Sequence, residues 1–303
     1  MRLRALFPPA IPPAVPPPVP APVPSPVPRR LGRLVVIVAA VLLLPAAGRA
    51  QTPAERDAAR ATVQRHADAI VTILGTARVH VTMGGREAPA TEENVVASGV
   101  VLDGDGLVVA ALSALEPARL MNSMVGRMGA GTPEMNVAVD LSDLRVKRAD
   151  GTDVPAKVVL RDEDLDLAFL RPQDTPATPW TFVDAPAADV RPMDLLVVVS
   201  RLGELAGRQV AGQFVPVMVV IDSPRRLYFA AGAGGGGAAF DVAGGFVGLT
   251  ALLSKPGAAP SAASPMSMIT GGLNSLDALG LIPVVVPIAE IRDVARQAAG
   301  GNR

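Results

Sequence analysis

Short β-branched runs, separated by Gly, Asp and Pro at intervals of about ten residues, fill the chain from residue 76 to residue 287. This spacing is typical of an all-β barrel or sandwich and favours short strands and turns over long helices. The chain has 303 residues, of which 50% are hydrophobic, so it can bury a substantial core. Because aromatic residues make up only 3%, we expect a core of Val, Leu, Ile, Ala and Met.

The runs fall into two sets, which a polar linker with several prolines separates near Pro172–Pro179. Two sets of six or more strands predict two β-barrels, the first over residues 76–172 and the second over 180–299. The predicted strands are Ala77–Met83, Ala97–Leu102, Gly106–Ala111, Asn136–Leu141, Leu144–Arg148, Asp153–Leu160 and Leu167–Arg171, then Thr181–Phe182, Leu195–Ser200, Gln209–Gln213, Val215–Asp222, Leu227–Ala230, Ala238–Asp241, Phe246–Leu253 and Ile282–Pro287.

A helix is predicted on either side of the strands. Thr52 and Glu55 have the spacing of a capping box, with Pro at the first helical position between them, which predicts an N-terminal helix within residues 51–75, running to about Leu74. His66 on this helix is expected to be exposed. The helical periodicity of Ile288–Ala299 predicts a C-terminal helix.

The first fifty residues read as a leader and a signal peptide. Residues 8–28 hold twelve prolines, so we expect residues 1–33 to be polyproline II or disordered. Three arginines then precede an apolar run, Leu34–Ala47, and small residues follow up to Ala50. This pattern predicts a signal peptide over 34–50 and export to the periplasm or the outside. An uncleaved anchor is the alternative, but fourteen residues fall short of the roughly 20 that cross a bilayer, so we expect no stable membrane span after cleavage.

Charge and cysteine content exclude several classes of function. Residues 1–50 carry six arginines and no acidic residue, whereas the remainder has 22 basic and 28 acidic residues, a net charge of 22 − 28 = −6. A mildly acidic domain has no basic footprint for nucleic acid, so we expect no nucleic-acid partner. The absence of cysteine excludes disulfides, thiolate metal sites and a cysteine nucleophile.

Three patterns could suggest a cofactor or a metal. Gly232–Gly237 satisfies the dinucleotide fingerprint, but that fingerprint needs a following helix, and a strand is predicted here instead. The methionines within Met121–Met135 could bind copper(I), yet their spacing favours an amphipathic helix or an adaptable surface. We interpret the acidic residues within Asp162–Asp166 as a solvated turn. We therefore expect no cofactor and no metal.

Five segments, in chain order, resemble the trypsin-like serine peptidases of the HtrA/DegP type. They are similar to the Gly-Ser-Gly strand with its Asp-Gly turn, the hairpin before the catalytic Asp, the Thr-Asp-Leu-Ala-Leu-Leu segment, the strand behind the nucleophile, and the closing strand that leads into the last helix. In this sequence they are Ala97–Leu107, Ala149–Val159, Asp164–Leu170, Gly244–Leu249 and Val285–Ile288. The resemblance implies an all-β chymotrypsin/trypsin-like fold of two six-stranded antiparallel barrels.

The same resemblance implies a degenerate catalytic triad. Asp166 matches the orienting acid, but Ala110–Ala114 replaces Thr-Asn-x-His-Val, which puts Ser113 at the histidine position. The family's Gly-Asn-Ser-Gly-Gly is replaced by Ala233-Gly234-Gly235-Gly236-Gly237, which puts Gly235 at the nucleophile position. Neither His66 nor His80 matches the family's histidine segment.

A triad needs a hydroxyl nucleophile, an imidazole that accepts its proton and a carboxylate that orients the imidazole. The sequence therefore predicts a pseudoprotease that binds a peptide or protein partner through the remnant cleft. Ala233, Gly234, Gly236 and Gly237 would form the remnant oxyanion loop, whose N–H groups can bind a carbonyl or carboxylate. Two alternatives remain: an active serine endopeptidase in which Ser113 or Ser200 acts with an unidentified base, and a structural module without a ligand.

Overall fold

The computed structural model of the chain describes residues 51–118, 120, 135–175, 178–230, 232, 235–254 and 281–300. Within these ranges the elements are α1 (Pro53–His66), a 3-10 turn (Ala67–Ala69), β1 (Ile70–Met83), β2 (Arg86–Glu87), β3 (Thr91–Val101), β4 (Val108–Ala111), α2 (Leu112–Leu115), β5 (Met135–Lys147), β6 (Asp153–Asp162), β7 (Leu167–Pro172), β8 (Leu195–Arg201), a second 3-10 turn (Glu204–Ala206), β9 (Val210–Ile221), β10 (Leu227–Ala230), β11 (Ala238–Asp241), β12 (Phe246–Ser254), β13 (Leu281–Pro287) and α3 (Ile288–Gly300).

The first barrel has the strand order β1-β3-β4-β7-β6-β5 and closes by pairing β5 with β1, while β2 extends β1 as a short hairpin. Every pair is antiparallel. The helix predicted to reach Leu74 ends at His66, because Ile70–Leu74 pair with Val96–Val100 of β3. The β-branched residues of this segment fit the barrel wall better than a helix.

The second barrel closes in the order β10-β13-β12-β11-β8-β9. The fold class predicted from the sequence, two six-stranded antiparallel barrels with a helix at each end, is confirmed. Two pairs of predicted strands prove to be single long strands, β5 and β9. Thr181–Phe182 is not a strand. The residues on either side of it bind to the first barrel: the Trp180 amide donates to the Gly104 carbonyl, and the Val183 amide donates to the Val101 carbonyl.

Among the described residues, three large apolar clusters and a small fourth one around Val79, Ala118 and Val137 form the core. Valine, alanine and leucine fill the interior of each barrel, and the third cluster joins residues of both barrels and the two terminal helices. Its largest fully buried members include Phe169 of the first barrel and Phe240 of the second. The expectation that methionine contributes to the core is wrong for Met83, Met193 and Met218, which are exposed because they lie at a hairpin end, in a turn and on an outward strand face.

The capping box of α1 is confirmed: Thr52 Oγ1 accepts from the Glu55 amide, and the Glu55 carboxylate accepts from the Thr52 amide. The helix buries Ala59, Thr62 and His66. The prediction that His66 is exposed is therefore wrong, since its spacing from Ala59 and Thr62 places all three on the packed face.

The barrels belong to one compact unit that begins at Gln51. Within the described ranges, no helix combines the length and the apolar character that crossing a bilayer requires.

Candidate functional site

Asp166 lies in the turn between β6 and β7 and is only 6% exposed. Its backbone adopts a positive φ of 57°, a conformation that Asp tolerates better than most residues. From described residues, its carboxylate accepts hydrogen bonds at Oδ1 from the Ser113 amide at 2.6 Å, and at Oδ2 from Ser113 Oγ at 2.7 Å and from the Leu252 amide at 2.8 Å. Because an ionised carboxylate only accepts, the Ser113 hydroxyl is the donor.

Ser113 is held on α2, the single helical turn that follows β4, and is 8% exposed. The turn is anchored by the Leu112 amide, which donates to the Asp166 carbonyl at 2.9 Å. Ser113 belongs to the first barrel and Leu252 to the second. The Asp166 carboxylate therefore bonds to both barrels.

Gly235 faces this pair from the loop between β10 and β11. A Cβ at position 235 would lie 3.5 Å from Ala111 Cβ and 3.6 Å from Ser113 Oγ, which are ordinary contact distances. A Cβ at position 235 would therefore fit without strain and would contact Ser113. The structure thus brings together Asp166, Ser113 and Gly235, which sequence reasoning singled out.

The next two residues of the loop require glycine. Gly236 has a φ of 92°, and a Cβ there would lie 3.1 Å from the Ser98 carbonyl; a Cβ at Gly237 would lie 2.7 Å from Val198 Cγ1. Both amides are tied to Thr250 of β12: Gly236 N–H donates to its carbonyl and Gly237 N–H to its Oγ1, each at 2.7 Å. Ala233 and Gly234 lie outside the described residues. The side chains of the methionines within Met121–Met135 also lie outside them.

Sequence reasoning missed two residues of this neighbourhood. Leu252 contributes only its backbone amide, which leaves no mark in the sequence. Thr250 had a signal, because it is the polar residue inside the apolar run of β12, and it is 0% exposed.

The family model for the trypsin-like peptidase domain matches residues 97–249, about half of the sequence, including Ser113, Asp166 and Gly235. The chain belongs to the trypsin-like peptidase family. Among solved structures, it is similar to the serine endoprotease from Yersinia pestis at 16% identity and a TM-score of 0.47, covering 81% of this chain and 68% of that one. The comparison with curated proteins finds no match.

A trypsin-like peptidase needs an imidazole, and the two in this chain have other neighbours. His66 stacks on Phe240 with ring centroids 4.5 Å apart, and burial, followed by the charge of Arg65, lowers its pKa. The His80 ring lies between the Glu87 carboxylate, at 3.3 Å, and the Asp140 carboxylate, at 3.4 Å, on the outside of the first barrel. Neither ring takes the place of a base beside Asp166.

The remaining sequence candidates lie elsewhere or lack the required surroundings. Ser200 is in β8, paired with Ala211 of β9. Gly237 is followed by strand β11, so the glycine-rich segment does not begin the helix that the dinucleotide fingerprint needs. Asp162 accepts from the Leu165 amide at 3.0 Å, which closes the turn before Asp166. In the described ranges, three or more His, Asp or Glu residues nowhere converge as metal ligands do.

Proposed function

We propose that this trypsin-like domain is proteolytically inactive and binds a peptide or protein partner through its remnant cleft. The observation that carries the proposal is the meeting of Asp166, Ser113 and Gly235. The Ser113 hydroxyl donates to Asp166, as the imidazole of a triad would, but it has no basic nitrogen that could accept a proton from a nucleophile. Position 235 has no side chain that could attack a carbonyl.

The energetic consequence favours loss of proteolysis. Removing triad members lowers turnover by a factor on the order of 10⁶, non-additively, and leaves about 10³–10⁴ over water from oxyanion donors and binding. Peptide bonds hydrolyse so slowly in water that this remainder supplies no useful turnover. We expect the purified full chain to leave casein intact and to remain unlabelled by a fluorophosphonate probe.

An active serine endopeptidase remains the second candidate, because Ser113 Oγ lies 2.7 Å from a carboxylate. Two features count against it. Ser113 is only 8% exposed, which limits access by a polypeptide. A carboxylate is also a weaker base than imidazole for taking a hydroxyl proton near neutral pH. Any hydrolysis that Ser113→Ala abolishes would support this candidate over an inactive domain.

Binding through the cleft is proposed at the space beside Gly235 and not at the Gly236 and Gly237 N–H groups, which already donate to Thr250. The Gly236 and Gly237 amides are fixed by Thr250, so the segment keeps a defined shape next to the space at Gly235. We expect Gly235→Trp to fill that space and abolish capture from a peptide library. Gly203→Trp is the matched control, because Gly203 has ordinary backbone angles and no atom within 4 Å of a Cβ there. Equal capture by the wild type and Gly235→Trp would contradict a used cleft, and no capture by any form would favour a structural module.

Export is part of the same proposal and rests on the sequence pattern of residues 34–50 alone. Cleavage near Ala50 would give a mature chain that starts at about Gln51, just before the capping box of α1. Mass spectrometry of the N-terminus after expression in a secretion-competent host tests this. An intact leader on the accumulated protein would contradict it.

A further inference from the structure

A groove with a volume of about 380 Å³ lies between α1 and strands β8 and β9 of the second barrel. Its walls combine apolar residues with a rim of arginine and amide side chains. They are Arg56, Ala59, Arg60, Val63 and Gln64 of α1, and Val197, Gly212, Gln213 and Phe214 of the barrel. None of these residues belongs to the cleft at Asp166, Ser113 and Gly235, so the groove is a separate feature.

The groove follows from how α1 packs on β9. A Cβ at Gly212 would lie 2.6 Å from Val63 Cγ2, so the helix approaches the strand at a position that has no side chain. Arg56, Ala59, Arg60 and Val63 are spaced three or four residues apart and share one side of the helix. This side of the helix therefore carries the guanidinium groups of Arg56 and Arg60 next to the apolar side chains of Ala59 and Val63.

The charges at the rim are available to a ligand. Arg60 pairs with Asp57 at 2.6 Å, but both side chains are about 70% exposed, and such pairs contribute little. Arg56 is exposed, and no carboxylate in the described part of the chain lies within ion-pair distance of it. A cationic rim above an apolar floor is complementary to a molecule with an anionic head and an apolar tail. The volume is near the lower end of small-molecule sites, roughly 300–1,000 Å³, which favours a single alkyl chain.

We propose that this groove binds an aliphatic monocarboxylate. The carboxylate pairs with Arg56 and Arg60, and the alkyl chain covers Val63 and Phe214. Burial of the chain supplies most of the affinity, because each methylene removed from water contributes about the same increment. The arginines supply the preference for an acid over an alcohol of equal length.

The test is a titration of the full chain with straight-chain carboxylates of increasing length and with the matching alcohols, measured by calorimetry. We expect the Kd to fall about fourfold per added methylene until the groove is full. Replacing both Arg56→Gln and Arg60→Gln should raise the Kd for decanoate about tenfold and leave that for decanol unchanged. Arg65→Gln is the matched control, since Arg65 lies on the same helix outside the groove.

The position of the bound chain is tested with a decanoate analogue that carries a photoactivated diazirine at its tail. We expect cross-links to peptides containing residues 59–64 or 212–214. Cross-links confined to other peptides would overturn the proposal. Equal Kd values for decanoate and decanol on the wild type, or Kd values that do not change with chain length, would also overturn it.

Discussion

At the scale of single residues, the hydrogen bonds of Asp166 explain how a carboxylate can be buried at this site. Asp166 is buried, and burying a carboxylate is costly unless hydrogen bonds replace its water. The Ser113 amide, the Ser113 hydroxyl and the Leu252 amide provide those bonds. Because these donors lie on α2 and β12, the Asp166 carboxylate has a structural role: it holds the two elements together.

This role predicts a graded loss of stability. Asp166→Asn replaces one acceptor oxygen by an NH₂ group, which leaves a buried amide facing a donor and should lower the free energy of unfolding by about 2–4 kcal/mol. Ser113→Ala removes one hydrogen bond to the carboxylate and should cost about 1.5–3 kcal/mol. Urea denaturation measures both. Asp164→Asn is the control, because Asp164 is exposed in the same turn; equal losses at 164 and 166 would contradict this role.

At the scale of elements, α1 is bound to the second barrel by both packing and hydrogen bonding. His66 stacks on Phe240, and Val63 lies against Gly212. Arg201 of β8 donates to the carbonyl groups of Ala67 and Ile70, just beyond the helix, at 2.9 and 2.7 Å. The helix is therefore part of the folded domain and not an appendage.

The docking of α1 predicts a pH dependence. Burial, more than the charge of Arg65, lowers the pKa of His66 below 6.5, and Asp184 opposes this only in part. Above about pH 6.5 the imidazole is neutral in both states, so it adds no pH dependence. Below that pH the unfolded chain binds more protons than the folded chain, and the free energy of unfolding should decrease until the folded-state pKa is passed.

His66→Phe isolates this effect, because phenylalanine preserves an aromatic stack and does not titrate. Urea denaturation at about pH 5 and about pH 7.5 should give a smaller pH-dependent loss for the variant than for the wild type. Other titrating groups are common to both proteins and cancel in the comparison. An identical pH dependence in the two proteins would show that His66 does not contribute.

At the scale of the whole molecule, the sequence was sufficient for the fold class but not for every boundary. Periodicity and turn residues located β10 and β11 to the residue, and the capping box located the start of α1. The predicted end of α1 was too late. Ile70–Leu74 pair as a strand with Val96–Val100 of β3, and the local sequence pattern does not reveal this pairing. The sequence prediction placed Trp180 and Val183 in the second barrel. Their backbone amides donate to carbonyl groups of the first barrel instead, and a local pattern does not reveal such long-range bonds.

The sequence could predict only those parts of the site that depend on the identity of a side chain. Asp166, Ser113 and Gly235 were identified by their positions relative to segments that resemble the family and follow one another in the family's order. The structure brings these three residues together. The contribution of Leu252 could not be foreseen, because any residue supplies an amide and only the packing of β12 against the first barrel aims it at Asp166. The burial of His66 depends likewise on Phe240, which is 174 residues away in the chain.

Fluorophosphonate labelling of the wild-type full chain and of the double variant Ser113→His and Gly235→Ser decides whether the domain lacks a reactive serine. The variant places an imidazole next to Asp166 and a serine at position 235, where a Cβ makes only ordinary contacts, so we expect labelling at least about tenfold above the wild type. We expect no labelled serine in the wild type. Stoichiometric labelling of the wild type at a single serine would contradict it.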